Sequence, residues 1–278
     1  MNGHAPIVQV ETQLRSLGRS APSRAGRGWD VPVLSPRKRG PAERLAHSLK
    51  ALPPAVIFFV AMLAGLMAVA LLSIGAGLLV TKVVEPAWGI GTAEQHFNGW
   101  LATHRTPTRT DASLIGSIVA GGVVLPIVAG TIALVCAVLR KWRIAAFVVF
   151  ALGVESASYR VTTLIVHSHR PRVVRLESLP VNASYPSGHT AASLAVYGGL
   201  VLLLTSRFTN SIFRSVAWTF AVAMVTFVAF ARMYRGMHHP LDVAGGVVVG
   251  LAAVTVLVFA CRTAGAAVES RRDTGGSG

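Results

Sequence analysis

Six long apolar stretches alternate with polar ones along this chain. The first is the uncharged run from Ala51 to Thr81. The others cover Ala112 to Leu139, Ile144 to about Val166, Ser187 to Ser206, Ser215 to Ala231, and Pro240 to Cys261. About 20 apolar residues carry a helix across a bilayer, so the pattern predicts an all-α bundle of six transmembrane helices. The polar stretch Lys82 to Asp111 contains Trp88, Phe97 and Trp100 and reads as an interfacial, partly amphipathic segment. Residues 51–262 form the predicted membrane domain. Residues 1–50 and 263–278 are polar and aperiodic, and are expected to be disordered tails. The third stretch contains Glu155 and Arg160, and charges inside a span usually face the bundle interior or a site.

Composition agrees with a membrane protein. Of 278 residues, 53% are hydrophobic and only 13% charged, with a mean hydropathy of +0.58. Cys136 and Cys261 both lie in apolar runs, so no disulfide framework is implied. The net charge of +15 suggests nucleic acid at first sight. The basic residues, however, collect in the first 50 residues, in Arg140–Arg143, in Arg207–Arg214 and after Arg262. With six spans and a cytoplasmic N-terminus, all of these fall on the inner side, as the positive-inside rule requires. The expected partner is therefore the lipid bilayer of the plasma membrane and not nucleic acid. Both termini are predicted to be cytoplasmic.

The same parity puts three polar clusters on the outer face: Arg170-Pro171 after the third span, Ser187-Gly188-His189 opening the fourth, and Arg232, His238 and Asp242 between the fifth and sixth. Planar guanidinium groups suit phosphate oxygens. Ser187 is a good N-cap, and the amides of Gly188 and His189 at a helix start favour an anion. Asp242, four residues after His238, is placed to hold one imidazole N–H and leave the other nitrogen as a nucleophile. His189 is placed to protonate a leaving oxygen and then activate water. These roles describe phosphoryl transfer through a phosphohistidine, with Arg170 and Arg232 neutralising charge.

The clusters resemble the type 2 phosphatidic acid phosphatase superfamily, which includes the vanadium haloperoxidases. Its three motifs run K-x6-R-P, P-S-G-H and S-R-x5-H-x3-D. Here the second is Pro186-Ser187-Gly188-His189, and the third is Arg232, five residues, His238, three residues, Asp242. The resemblance implies His238 as nucleophile, Asp242 as its orienter and His189 as general acid. It also implies Arg170, Ser187, Gly188 and Arg232 as phosphate ligands, with no metal and no cofactor. Two positions depart from the pattern. Ala231 replaces the Ser of the third motif, and Thr163 stands where the first-motif Lys belongs. Thr163 itself, Arg160 one turn earlier, Arg172 and His169 are the candidates to supply the missing donor. The function expected is metal-independent hydrolysis of a lipid phosphate or diphosphate (polyprenyl diphosphate, phosphatidate or phosphatidylglycerol phosphate) in a bacterial envelope. The alternatives are a lipid phosphotransferase and a catalytically weak membrane protein that binds or transports lipid phosphates.

Overall fold

The computed structural model describes residues 31–178 and 180–275. Their regular structure is helical, apart from one isolated bridge between Ser168 and Ala183. A short helix, α1 (Pro41–Ser48), precedes α2 (Pro54–Leu79), which continues through a π turn so that the first crossing spans Pro54–Trp88. Then come α3 (Ile90–Thr103), α4 (Pro107–Val119), α5 (Val124–Val138) and α6 (Trp142–Ile165). The chain ends with α7 (Gly188–Thr205), α8 (Ser211–Tyr234) and α9 (Pro240–Gly275). Among the described residues five helices are long and apolar enough to cross a membrane, and α4 with α5 passes the same test only as a pair, giving six when that pair is one broken span.

The α4–α5 pair is bent by 42° at its break. Ala112 to Leu139 is therefore not one straight helix. Gly121 and Gly122 are poor helix formers, and Pro126 both lacks an amide donor and crowds the carbonyl four residues back.

Helix α9 is the axis of the bundle and packs on α2, α6, α7 and α1. The core joins Phe58, Met62 and Val69 of α2 with Phe147, Val148 and Val154 of α6 and Val249 and Leu257 of α9. The outward faces are as apolar as the core: Leu71, Leu164, Ile212 and Val216 are all exposed. Burial of apolar surface gives little drive for such helices to associate in lipid. Close packing and interhelical hydrogen bonds hold them instead, such as the one between Thr162 and Ser73 at 2.9 Å.

Two predicted boundaries move. Residues 31–50 are not a loose tail: Val31 and Leu34 belong to the core, and Ala46 of α1 packs with Ile57, Ala266 and Ala267. Helix α9 likewise runs past Cys261 to Gly275. The two stretches stabilise each other. Ala42 and Ala46 form a thin apolar stripe that means little until α9 extends to meet it. Residues 1–30 and 276–278, the remainder of the predicted tails, lie outside the described residues. The stretch read as interfacial is also more than a surface helix, because α3 buries Glu94, Asn98 and Leu101 and packs against α8.

Candidate active site

Two loops, residues 166–187 and 235–239, meet at the start of α7. Arg170 stitches them together. Its Nε donates to the Pro180 carbonyl at 2.8 Å, its Nη2 to that of Ala183 at 2.8 Å, and its Nη1 to that of Met237. Arg170 was expected as a phosphate ligand, yet three of its five donors are committed to backbone. It is buried, and it still lines the cavity that holds the two histidines. Gly236 makes the second loop possible. Its φ is +72°, and a Cβ there would stand 2.7 Å from Val173 Cγ2. Gly236→Ala is expected to lower the thermal midpoint by on the order of 5 °C in a detergent melt, from left-handed strain and that contact.

His238 is almost fully buried. Its Nδ1 lies 2.8 Å from the Ser184 carbonyl. A carbonyl only accepts, so Nδ1 carries the proton and Nε2 keeps the lone pair. Burial pushes this imidazole down to about 4, against the opposing pull of Asp242, so it is neutral at physiological pH. Asp242 does not hold His238 directly as expected, because its Oδ2 is 3.8 Å from Nδ1. It accepts instead from Ser184 Oγ at 2.5 Å and from the His239 amide at 2.8 Å. Ser184 therefore stands between the two, with its hydroxyl on the carboxylate and its carbonyl on the imidazole. The sequence gives no sign of this, since half of the link is main chain. Ser184→Ala is expected to lower kcat roughly tenfold with KM unchanged, with recovery in Ser184→Thr, because small misplacement of a reacting group is costly. A change in KM alone would show that Ser184 acts on binding and not on the imidazole.

Ser187 occupies the N-cap position of α7 but makes no side-chain cap. Its hydroxyl pairs with Thr190 Oγ1 at 2.9 Å, and its amide donates to the Asp242 carbonyl at 2.8 Å. That approach of α7 to α9 requires Gly246, where a Cβ would meet the Ser187 carbonyl oxygen at 2.5 Å. The next amides, of Gly188 and His189, belong to the helix turn that precedes intrahelical acceptors.

Arg232 is fully buried. Its Nη1 donates to Glu177 Oε2 at 2.7 Å and to Ser117 Oγ at 2.8 Å. Its Nε and Nη2 have no acceptor among the described residues. Glu177 also accepts from Arg235 Nε at 2.5 Å. The sequence reading assigned no role to Glu177 or Arg235, because a loop carboxylate 55 residues from its partner carries no local pattern.

Helix α3 closes over the second loop. Asn98 Nδ2 donates to the His238 carbonyl at 3.1 Å, and Glu94 Oε1 accepts from the Leu241 amide at 2.7 Å, at the start of α9. Burial, with Asp242 and Glu85 nearby, raises Glu94 to about 7 despite that hydrogen bond.

One cavity of about 330 Å³ opens beside the two histidines. Its wall includes Arg170, Gly188, His189 and His238 at the top and continues down α6 through Arg160, Tyr159 and Ser156 to Glu155. Gly121 and Gly122, at the break between α4 and α5, form its flank. Of the candidates for the missing first-motif cation, Arg160 lines this cavity. Thr163 does not; its hydroxyl donates to the Arg160 carbonyl at 3.0 Å. Arg172 is held elsewhere, through backbone hydrogen bonds to Gln95. Helical side chains lean towards the N-terminus, and from the histidines the cavity runs in that direction along α6.

Residues 144–264 match the family model of the PAP2 superfamily. An undecaprenyl-diphosphatase of Sulfolobus acidocaldarius is 37% identical over 75 residues, which is 27% of this chain and 32% of that protein. The match thus spans about a third of that relative's length. The crystal structure of a transmembrane PAP2-type phosphatidylglycerolphosphate phosphatase from Bacillus subtilis superposes with a TM-score of 0.57 at 18% identity. That likeness, one of fold, covers 73% of this chain and 93% of the other. Family-model match, fold and motif order agree in likening residues 144–264 to the PAP2 superfamily, within an all-helical chain that carries five to six candidate membrane spans among its described residues.

Proposed function

We propose that this chain is a membrane phosphatase that hydrolyses a lipid phosphate or diphosphate through a phosphohistidine on His238. The observation that carries the reading is the pairing of a neutral, fixed imidazole with a buried guanidinium. His238 has Nδ1 pinned to Ser184, while Arg232 keeps two donors without an acceptor among the described residues. In the reaction His238 Nε2 forms a bond to phosphorus as the bond to the lipid oxygen breaks. His189 gives that oxygen its proton. His189 then takes a proton from water, whose oxygen attacks phosphorus and releases inorganic phosphate from His238. Arg232, the remaining donors of Arg170, and the amides of Gly188 and His189 hold the equatorial oxygens. Ser184 and Asp242 keep His238 in the reactive tautomer. The lipid tail stays in the bilayer and reaches the cavity past Gly121 and Gly122, where the broken crossing forms its flank. The active site faces the outer leaflet, with both termini in the cytoplasm, as the distribution of basic residues indicates.

The names of the relatives point to two substrate groups, a polyprenyl diphosphate and a phosphatidylglycerol phosphate. The test is phosphate release by the purified full chain in detergent, with chelator present, on undecaprenyl diphosphate, phosphatidate and phosphatidylglycerol phosphate. Release on at least one lipid, with an acid-labile and base-stable phosphoprotein trapped on brief mixing, is the expected result. Folded protein that releases phosphate from none of them would overturn the reading in favour of transfer or binding.

A further inference from the structure

A second cavity, of about 340 Å³, lies at the opposite end of the bundle. Arg262 lines it, 20 residues along α9 from Asp242, or about 30 Å away at helical rise. Its wall joins Arg37 from the N-terminal segment, Thr205 and Ser206 at the end of α7, Arg214 and Trp218 of α8, and Arg262. Three arginines therefore line one cavity whose lining, among the described residues, contains no carboxylate.

The arginines are placed by the fold. Arg37 follows a segment anchored in the core by Val31 and Leu34. Arg262 is fixed by its Nε, which donates to the Val33 carbonyl at 2.8 Å, so the Nη edge remains for a ligand. Like charges brought together repel, and an anion with several oxygens removes that repulsion and accepts forked hydrogen bonds from each group. Trp218 is amphipathic and suits a site at membrane–water depth. Beside it α8 exposes Ile212, Val216 and Val222 along an outward face.

We propose that this cavity is a second anion site, remote from the histidines, which takes a phosphate group through Arg37, Arg214 and Arg262. The phosphate is that of an anionic phospholipid headgroup or free inorganic phosphate. The exposed apolar face of α8 would carry the acyl chains of the former. The site stands apart from the phosphatase chemistry, so it holds or fails independently of that reading.

The test compares the wild-type chain with the double variant R37A/R214A, both exposed positions, in thermal melts in neutral detergent. One arm adds phosphatidylglycerol in mixed micelles, and the other adds inorganic phosphate. The histidine site binds phosphate equally in both proteins, so the difference between them reports the second site. The expected result is a stabilisation by phosphatidylglycerol of about 3 °C or more that falls by at least half in the variant, with turnover unchanged. A variant-sensitive shift with inorganic phosphate alone assigns the same site to a soluble anion. R37Q/R214Q, which removes the charges but keeps polar side chains of similar reach, carries the comparison should the alanine pair fold poorly, with the same loss of shift expected. Equal shifts in wild type and variant with both ligands overturn the proposal.

Discussion

His238→Ala is expected to slow phosphate release by about 10⁴- to 10⁶-fold, the scale on which loss of a covalent nucleophile acts. The substitution removes the atom proposed to bond to phosphorus and leaves Arg232 and the α7 amides in place. Binding should change little. A non-hydrolysable lipid phosphonate would compete for wild type and variant with affinities within about threefold, on the order of 0.6 kcal/mol. The phosphoprotein trapped in the wild type should be absent. His189→Ala separates the two histidines: it should slow both steps yet still allow a phosphoprotein to form with a good leaving group, because His238 remains. Burial holds His238 at about 4, so the base form survives well below the ordinary histidine range. The acid limb of capture set by this group is expected near pH 4. A His238→Ala protein retaining more than about a hundredth of the wild-type rate would remove His238 from the role of nucleophile.

Glu177→Ala is expected to cost about 3–5 kcal/mol, the range for removing one partner of a buried ion pair. Glu177 faces two buried arginines, Arg232 at 2.7 Å and Arg235 at 2.5 Å. Without it, among the described residues, Arg232 keeps Ser117 as its acceptor, and Arg235 is left with neutral oxygens from Ser113, Thr110 and Leu176. Burial alone would push the Glu177 carboxyl up, but the charge of Arg232 and the hydrogen bonds from both arginines hold it down at about 2. The folded value lies below the unfolded one. The stabilisation is therefore complete above about pH 4.5 and is lost as pH falls towards 2. Thermal melts of wild type and variant should differ most at neutral pH and converge near pH 2 to 3. A gap that stays constant over that range would mean that Glu177 acts by packing and not by charge.

The sequence exposed what repeats or recurs at fixed spacing. The crossings were legible because uninterrupted apolar runs have few alternatives in a membrane protein. His238 and Asp242 were legible as a pair four residues apart, and the structure puts His238 in the loop just before α9 and Asp242 in the first turn of that helix. How they connect was not legible, because the Ser184 carbonyl belongs to a loop more than 50 residues earlier. The clasp of α3 left a trace that the reading passed over. Glu94, Asn98 and Leu101 recur at helical spacing on one face, but two of them are polar and so look like a solvated surface. The folded segment 31–50 was hidden for a related reason. Its apolar residues are few, and their partner is the part of α9 that extends beyond the expected end of the last crossing.

The stitching of two loops by Arg170 also orders events in time. Two of its acceptors, Pro180 and Ala183, follow within a few residues, but the third is Met237, beyond two further crossings. A nascent chain that has inserted α6 and α7 can shape the first loop and no more. His238, Asp242 and the last strut of Arg170 emerge together, when α8 has returned to the same face. The candidate site is thus unassembled while α6 and α7 insert, and comes together as a unit once α8 is in place.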